Sequence, residues 1–109
     1  MSEKPGYSEI SPHDAYKLMR TTSIVVVDVR EPYEYEAGHI RGAINIPLGR
    51  IVPGRVLPEL PDMTKPVLVY CRSGRRSGVA GRTMANTGYA DVRNFGGVIH
   101  WPYGLVRED

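Results

Sequence analysis

Apolar residues fall along this chain in short, well-separated runs. Ile24, Val25, Val26 and Val27 form a β-branched run without polar interruption, and Val67, Leu68, Val69 and Tyr70 form a second. Such runs predict parallel strands covered on both faces. Ahead of the first, Ser11, Pro12 and Asp14 make a helix start, with a hydroxyl N-cap, a proline at the first helical position and a carboxylate near the positive end of the dipole. The pattern carries that helix to about Arg20 and buries Ala15, Leu18 and Met19. After Glu31, Pro32 opens a short helix that Gly38 ends, and Ala43 to Ile46 predicts another brief strand.

Between Pro47 and Pro66, the breakers Gly49, Pro53, Gly54, Pro58 and Pro61 predict irregular chain with a turn or two of helix. From Ser77, the residues Val79, Ala80, Thr83, Met84 and Thr87 recur at helical spacing, with Gly88 as a C-cap. Asp91 to Asn94 reads as a further strand, followed by Gly96, Gly97 and a last helical segment around His100 and Trp101. Strands that alternate with helices predict an α/β fold, a parallel sheet with helices on both faces.

The length of 109 residues fits one domain. Residues 1–7 read as an N-terminal tail and 8–109 as the domain, with no internal repeat or linker to divide it. A composition of 41% hydrophobic and 24% charged residues is that of a globular protein. No stretch approaches the roughly 18 to 20 apolar residues of a membrane span, and Met1 to Gly6 lack the basic start and apolar core of a secretory signal. The expected location is therefore cytoplasmic. A net charge of +2 is too small to argue for nucleic acid or an anionic membrane, and neither is an expected partner.

A single cysteine excludes an internal disulfide, a metal site built from several thiolates, and a dithiol redox cycle within one chain. His13, His39 and His100 have no ligand spacing, and no metal is expected. Cys71 is the residue left to explain. It follows a buried strand, and in open parallel sheets sites lie outside the carboxyl ends of the strands. Behind it, Arg72, Ser73, Gly74, Arg75, Arg76 and Ser77 supply backbone amides and three positive charges ahead of a helix N-terminus. A loop of that kind curls into a nest of N–H donors. Helix N-termini and nearby cations lower a thiol from about 8.5 to roughly 3.5–7.5, which makes a thiolate at neutral pH. The plainer reading is a small buried cysteine that packs as an apolar residue. Three arginines and a glycine directly after it count against that.

Cys71-Arg72-Ser73-Gly74-Arg75-Arg76 resembles the active-site loop of the rhodanese family, of the form Cys-Arg-x-Gly-x-Arg/Thr. Val27 to Pro47 (VDVREPYEYEAGHIRGAINIP) and Asn94 to Trp101 (NFGGVIHW) resemble the flanking signatures of the same family. The resemblance covers the chain from about Ser8 onward. It implies a rhodanese-like three-layer sandwich, with a central, mostly parallel five-stranded sheet and helices on both faces. It also implies a sulfurtransferase of the single-domain thiosulfate type, in which Cys71 takes up a sulfane sulfur as a persulfide. The loop Arg72, Ser73, Gly74, Arg75, Arg76 and Ser77 would bind the substrate. Arg72 and Arg76 would attract an anionic donor such as thiosulfate, and Arg75 is the one that can point to solvent. Guanidinium forks match oxyanions in geometry and sign.

Asp28 and Arg30 would form a structural ion pair that supports the site, and His39 would fix a turn by hydrogen bonding. Trp101 and Tyr103 would pack in the core or at its rim. No cofactor is implied beyond the covalent persulfide. The acceptor must be external, since no second cysteine resolves the persulfide: cyanide, a thiol or a partner protein. A monomer or homodimer suffices. Some two-domain members carry a further arginine after Asp-x-Arg, where this chain has Tyr33, Glu34, Tyr35 and Glu36.

Three rival readings remain. A cysteine-dependent phosphatase has a loop of cysteine, five residues and arginine; here the sixth residue after Cys71 is Ser77, and Arg76 comes one position early. A sulfur-carrier module would deliver its persulfide to a partner enzyme with little turnover of its own. A redox sensor would use an exposed, readily oxidised thiol.

Overall fold

The computed structural model describes residues 6–107. In chain order the elements are β1 (Tyr7–Glu9), α1 (Pro12–Thr21), β2 (Val25–Asp28), α2 (Pro32–Ala37), β3 (Ile44–Asn45), β4 (Val67–Cys71), α3 (Arg75–Thr87) and β5 (Val92–Gly97). Single 3-10 turns lie at Leu48–Arg50 and Val98–His100. The five strands form one sheet in the order β1-β5-β4-β2-β3, and every pairing is parallel.

β4 shows why the central strands are unbroken apolar runs. Val67, Val69 and Cys71 point to one side, where they pack with Ala80 and Met84 of α3 and with Ile51, Leu57 and Leu60 of the irregular segment. Leu68 and Tyr70 point to the other, toward Ala15 of α1, Ile40, Ala43 and Phe95. Alternate side chains of a strand reach opposite faces, so a strand covered on both has no polar position to spare. These two layers with the sheet between them are the three-layer sandwich.

Ser11 caps α1 as its sequence demands, accepting the Asp14 amide at 3.0 Å. The structure corrects the expected organisation in three places. Tyr7 is no part of a tail: it pairs with Val92 in β1 and is 3% exposed. Residues 1–5 of that expected tail lie outside the described residues. α3 begins at Arg75, ahead of Ser77, and its buried stripe is Ser77, Gly78, Ala80, Gly81 and Met84, with Val79 half exposed. The stripe is shifted because Tyr7 lies across the helix, where a Cβ on Gly81 would come within 2.7 Å of its ring. β5 runs on to Gly97, three residues past the expected end. Among the described residues no helix is long and apolar enough to cross a membrane.

Candidate active site

Cys71 is the last residue of β4 and is completely buried. The chain then turns through Arg72, Ser73 and Gly74 into α3. Gly74 stands at the N-cap with φ of +106°, a conformation that costs a side-chain-bearing residue roughly 1–2 kcal/mol. That turn brings the Gly74 N–H to 3.1 Å from Sγ and the Ser77 hydroxyl to 3.5 Å. Gly97 of β5 runs along the other side of the turn, and a Cβ there would strike the backbone oxygens of Cys71 and Arg72. The Ile99 amide donates to the Arg72 carbonyl at 3.2 Å, which ties the loop to the turn after β5.

Burial pushes the Cys71 thiol up. Hydrogen bonds from the Ser77 hydroxyl and from the Ser77, Gly74 and Ser73 amides overcome that, and the net shift is downward. The donors that favour a thiolate are thus chiefly amides and one hydroxyl. The three arginines have different roles. Arg72 and Arg75 are exposed. Arg76 makes a two-pronged ion pair with Glu34 of α2, at 2.8 and 3.1 Å, and also interacts with the Cys71 sulfur. The hydrogen bond from Arg76 holds the Glu34 carboxyl far down, at about 2. Arg76 thus faces the Glu34 carboxylate and the sulfur at once.

The expected supporting residues sit at the neighbouring strand end. The Asp28 carboxylate accepts from the Arg30 amide at 2.9 Å, from Nε at 3.0 Å and from Nη2 at 2.7 Å. Burial works against the charge of Arg30, and the hydrogen bond to Asp28 overcomes it. Nη2 also donates to the Gly38 carbonyl at 2.7 Å, which anchors the end of α2 and with it Glu34. His39 is buried, its ring stacked on Tyr35 at 3.7 Å, and its Nδ1 lies 2.8 Å from the Tyr35 carbonyl, a contact in which Nδ1 carries the proton. Its backbone pairs with Val106 in both directions at 2.8 Å, so it fixes a turn and clips down the C-terminal segment. Trp101 packs edge-on against Tyr16 and Tyr103 and tilted against Phe95, on the far face of the sheet.

Three residues at the site escaped sequence reasoning: Glu34, Asn94 and Tyr7. The Asn94 side chain reaches from β5 to the loop, with Ser77 Oγ at 2.8 Å on one side and the Tyr7 hydroxyl at 3.2 Å on the other. A cleft of about 280 Å³ opens beside it, lined by Glu9, Ile10, Ser73, Gly74, Asn94 and Gly96. The sequence signalled Asn94 only as the head of the Asn94 to Trp101 segment and as an uncharged polar residue beside the buried Phe95. Among the described residues, no group of three or more His, Cys, Asp or Glu side chains is placed to hold a metal.

The family description "Rhodanese-like domain" matches residues 11–101. Thiosulfate sulfurtransferase PspE of Escherichia coli is 44% identical over 72 residues, covering 66% of this chain and 68% of its own. Thiosulfate sulfurtransferase GlpE of Coxiella burnetii is 32% identical over 96 residues, 87% of each chain. Other curated relatives are longer, and the matched stretch spans only 50% to 60% of three of them. Among solved structures, a rhodanese-related protein of Thermoplasma volcanium superposes with a TM-score of 0.78 at 31% identity, covering 94% of this chain and all of that one. A six-residue loop from a buried strand into a helix, a buried Asp-x-Arg pair at the end of the next strand and this match over most of the length agree: the chain belongs to the rhodanese-like domain family.

Proposed function

We propose that this chain is a sulfurtransferase that carries a sulfane sulfur on Cys71. The observation that carries the reading is the sulfur itself, buried at a strand end yet facing the Gly74 amide and the Ser77 hydroxyl at 3.1 and 3.5 Å. A buried thiol with such donors has a reason to ionise. The relatives named as thiosulfate sulfurtransferases support the same chemistry.

In the first half-reaction the Cys71 thiolate attacks the outer sulfur of thiosulfate. The S–S bond of the donor breaks, sulfite leaves with the bonding pair, and Cys71 becomes a persulfide with the negative charge on its outer sulfur. The amides of Ser73, Gly74 and Ser77 are the groups that would receive that charge. In the second, an external nucleophile such as cyanide takes the outer sulfur, leaving as thiocyanate and restoring the thiolate. Arg72 and Arg75, both exposed, would steer an anionic donor through their long-range field. Arg76, paired with Glu34, would act at short range on the sulfur. A thiol or a partner protein as acceptor, including the carrier role, fits the same cycle.

A phosphatase fits less well. The position at which its loop needs arginine is held here by Ser77, whose hydroxyl faces the sulfur. A redox sensor commonly pairs its thiol with a resolving one, and this sequence has a single cysteine.

Incubation of the purified protein with thiosulfate, followed by intact mass measurement, tests the proposal. The protein should gain one sulfur, lose it to cyanide, and gain none as Cys71→Ser. A wild-type protein that takes up no sulfur from thiosulfate, organic persulfide or polysulfide overturns it.

A further inference from the structure

Asn94 is buried, and every hydrogen-bonding position of its amide is filled. Nδ2 donates to the Gly74 carbonyl at 3.1 Å and to the Tyr7 hydroxyl at 3.2 Å, which itself donates to Glu9 at 3.2 Å. Oδ1 accepts the Gly96 N–H at 3.0 Å and lies 2.8 Å from Ser77 Oγ. A carbonyl on one side and a backbone N–H on the other leave only one orientation for the amide, so it is an oxygen that faces Ser77.

The Ser77 hydroxyl has one proton and three acceptors around it: Asn94 Oδ1 at 2.8 Å, and Cys71 Sγ and the Gly96 carbonyl each at 3.5 Å. One proton cannot serve them all. While Cys71 is a neutral thiol, the near amide oxygen is the better acceptor. When the sulfur is charged, it becomes the stronger one, and rotation about the Ser77 Cβ–Oγ bond suffices to reach it.

We propose that the Ser77 hydroxyl is a two-position donor, and that Asn94 is the positioning residue that holds it off the sulfur until the sulfur carries charge. This rests on the reading of Cys71 as a persulfide carrier. In the thiolate the charge sits on Sγ and the hydroxyl turns to it. After sulfur uptake the charge sits on the outer sulfur, Sγ is a neutral bridging atom, and the hydroxyl returns to Asn94. The Ser77 proton stays on Oγ throughout; only its acceptor changes. Tyr7, brought in by the edge strand, holds the far end of the Asn94 amide and so fixes where the waiting acceptor stands.

Other charged and titratable groups face this network from each side. From α3 comes Arg76, backed by Glu34 of α2; from β1 come Tyr7 and Glu9, with Arg82 of α3 over the Tyr7 ring at 4.7 Å. Arg76 and Tyr7 titrate above their ordinary values and Glu34 at about 2, so these three keep their charge states while the thiol ionises.

The test follows the Asn94 side-chain carbonyl carbon by NMR through the Cys71 titration. In the wild type its resonance should move with the same midpoint as the thiol; in Ser77→Ala it should stay still. A resonance that is flat in the wild type, or that moves equally in both proteins, overturns the proposal. A second arm reads the pH midpoint of Cys71 alkylation by iodoacetamide. Asn94→Leu should lower that midpoint when Ser77 is present and leave it unchanged in the Ser77→Ala background. An equal shift in both backgrounds, or a rise, is what a merely structural Asn94 would give. If Asn94→Leu does not fold, the NMR arm still decides. Sulfur uptake is read separately by mass: its failure with the coupling intact sinks the functional reading and spares the switch.

Discussion

At the carboxyl end of β2 a carboxylate is buried; at the carboxyl end of β4, the next strand over, a thiol is. The two ends solve the problem of buried polarity differently. Asp28 is met by the Nε and Nη2 of the Arg30 guanidinium, the Arg30 amide and the Tyr70 hydroxyl, and Arg30 in turn has the Gly38 carbonyl. Nothing there is left wanting a partner. Cys71 is met by the Gly74 amide, by the Ser77 hydroxyl, which has a nearer acceptor of its own, and by Arg76, whose charge is shared with Glu34. The first arrangement makes a rigid frame, since breaking a buried ion pair leaves a stranded charge. The second leaves the sulfur open to a new charge or a new bond.

Removing one partner at each end should separate the two roles. Asp28→Asn strands Arg30 and should cost about 3–5 kcal/mol in urea unfolding, while the protein that remains folded alkylates Cys71 at nearly the wild-type rate. Alkylation that falls in step with stability would mean that the two ends cannot be told apart. Gly74→Ala should do the reverse. Its backbone costs about 1–2 kcal/mol, and the new Cβ would press on Gly96 Cα at 3.1 Å, shifting the amide that faces Sγ. Alkylation near neutral pH should then fall further than stability does.

The same contrast decides what could be read from the sequence. β2 and β4 were legible because burial on both faces leaves Val25 to Val27 and Val67 to Tyr70 without a polar position. Cys71 was legible because Gly74 and three arginines follow it at once. β1 was not, since it is an edge strand of three residues in which only Tyr7 is buried. The start of α3 was missed because its buried stripe opens with Ser77, Gly78 and Gly81, small residues that let Tyr7 and the loop approach and carry no hydrophobic signal. Glu34 and Asn94 look like ordinary polar residues, and their partners at the loop lie 42 and 17 positions away. Local pattern cannot report a pairing made by the closing of the sheet.

Glu34→Gln probes the bridge between the two ends, because Arg30 anchors α2 and α2 presents Glu34 to Arg76. Both side chains are partly open to water, so the loss of stability should be small, about 0.5–1 kcal/mol after solvent screening. Its pH dependence gives the sign. The folded-state value of Glu34 lies below the ordinary 4.5, at about 2, so the pair's contribution is fully present above pH 4.5 and lost as pH falls toward 2. Stability curves of the wild type and Glu34→Gln should therefore differ at neutral pH and converge at the acid end; a constant gap would assign the effect to packing. The same change leaves Arg76 uncompensated beside the sulfur. Alkylation by anionic iodoacetate should gain on that by neutral iodoacetamide at low salt, and the gain should shrink as salt rises. If the ratio stays at its wild-type value at every salt concentration, Arg76 does not act on what approaches the sulfur, and the amides alone make the site.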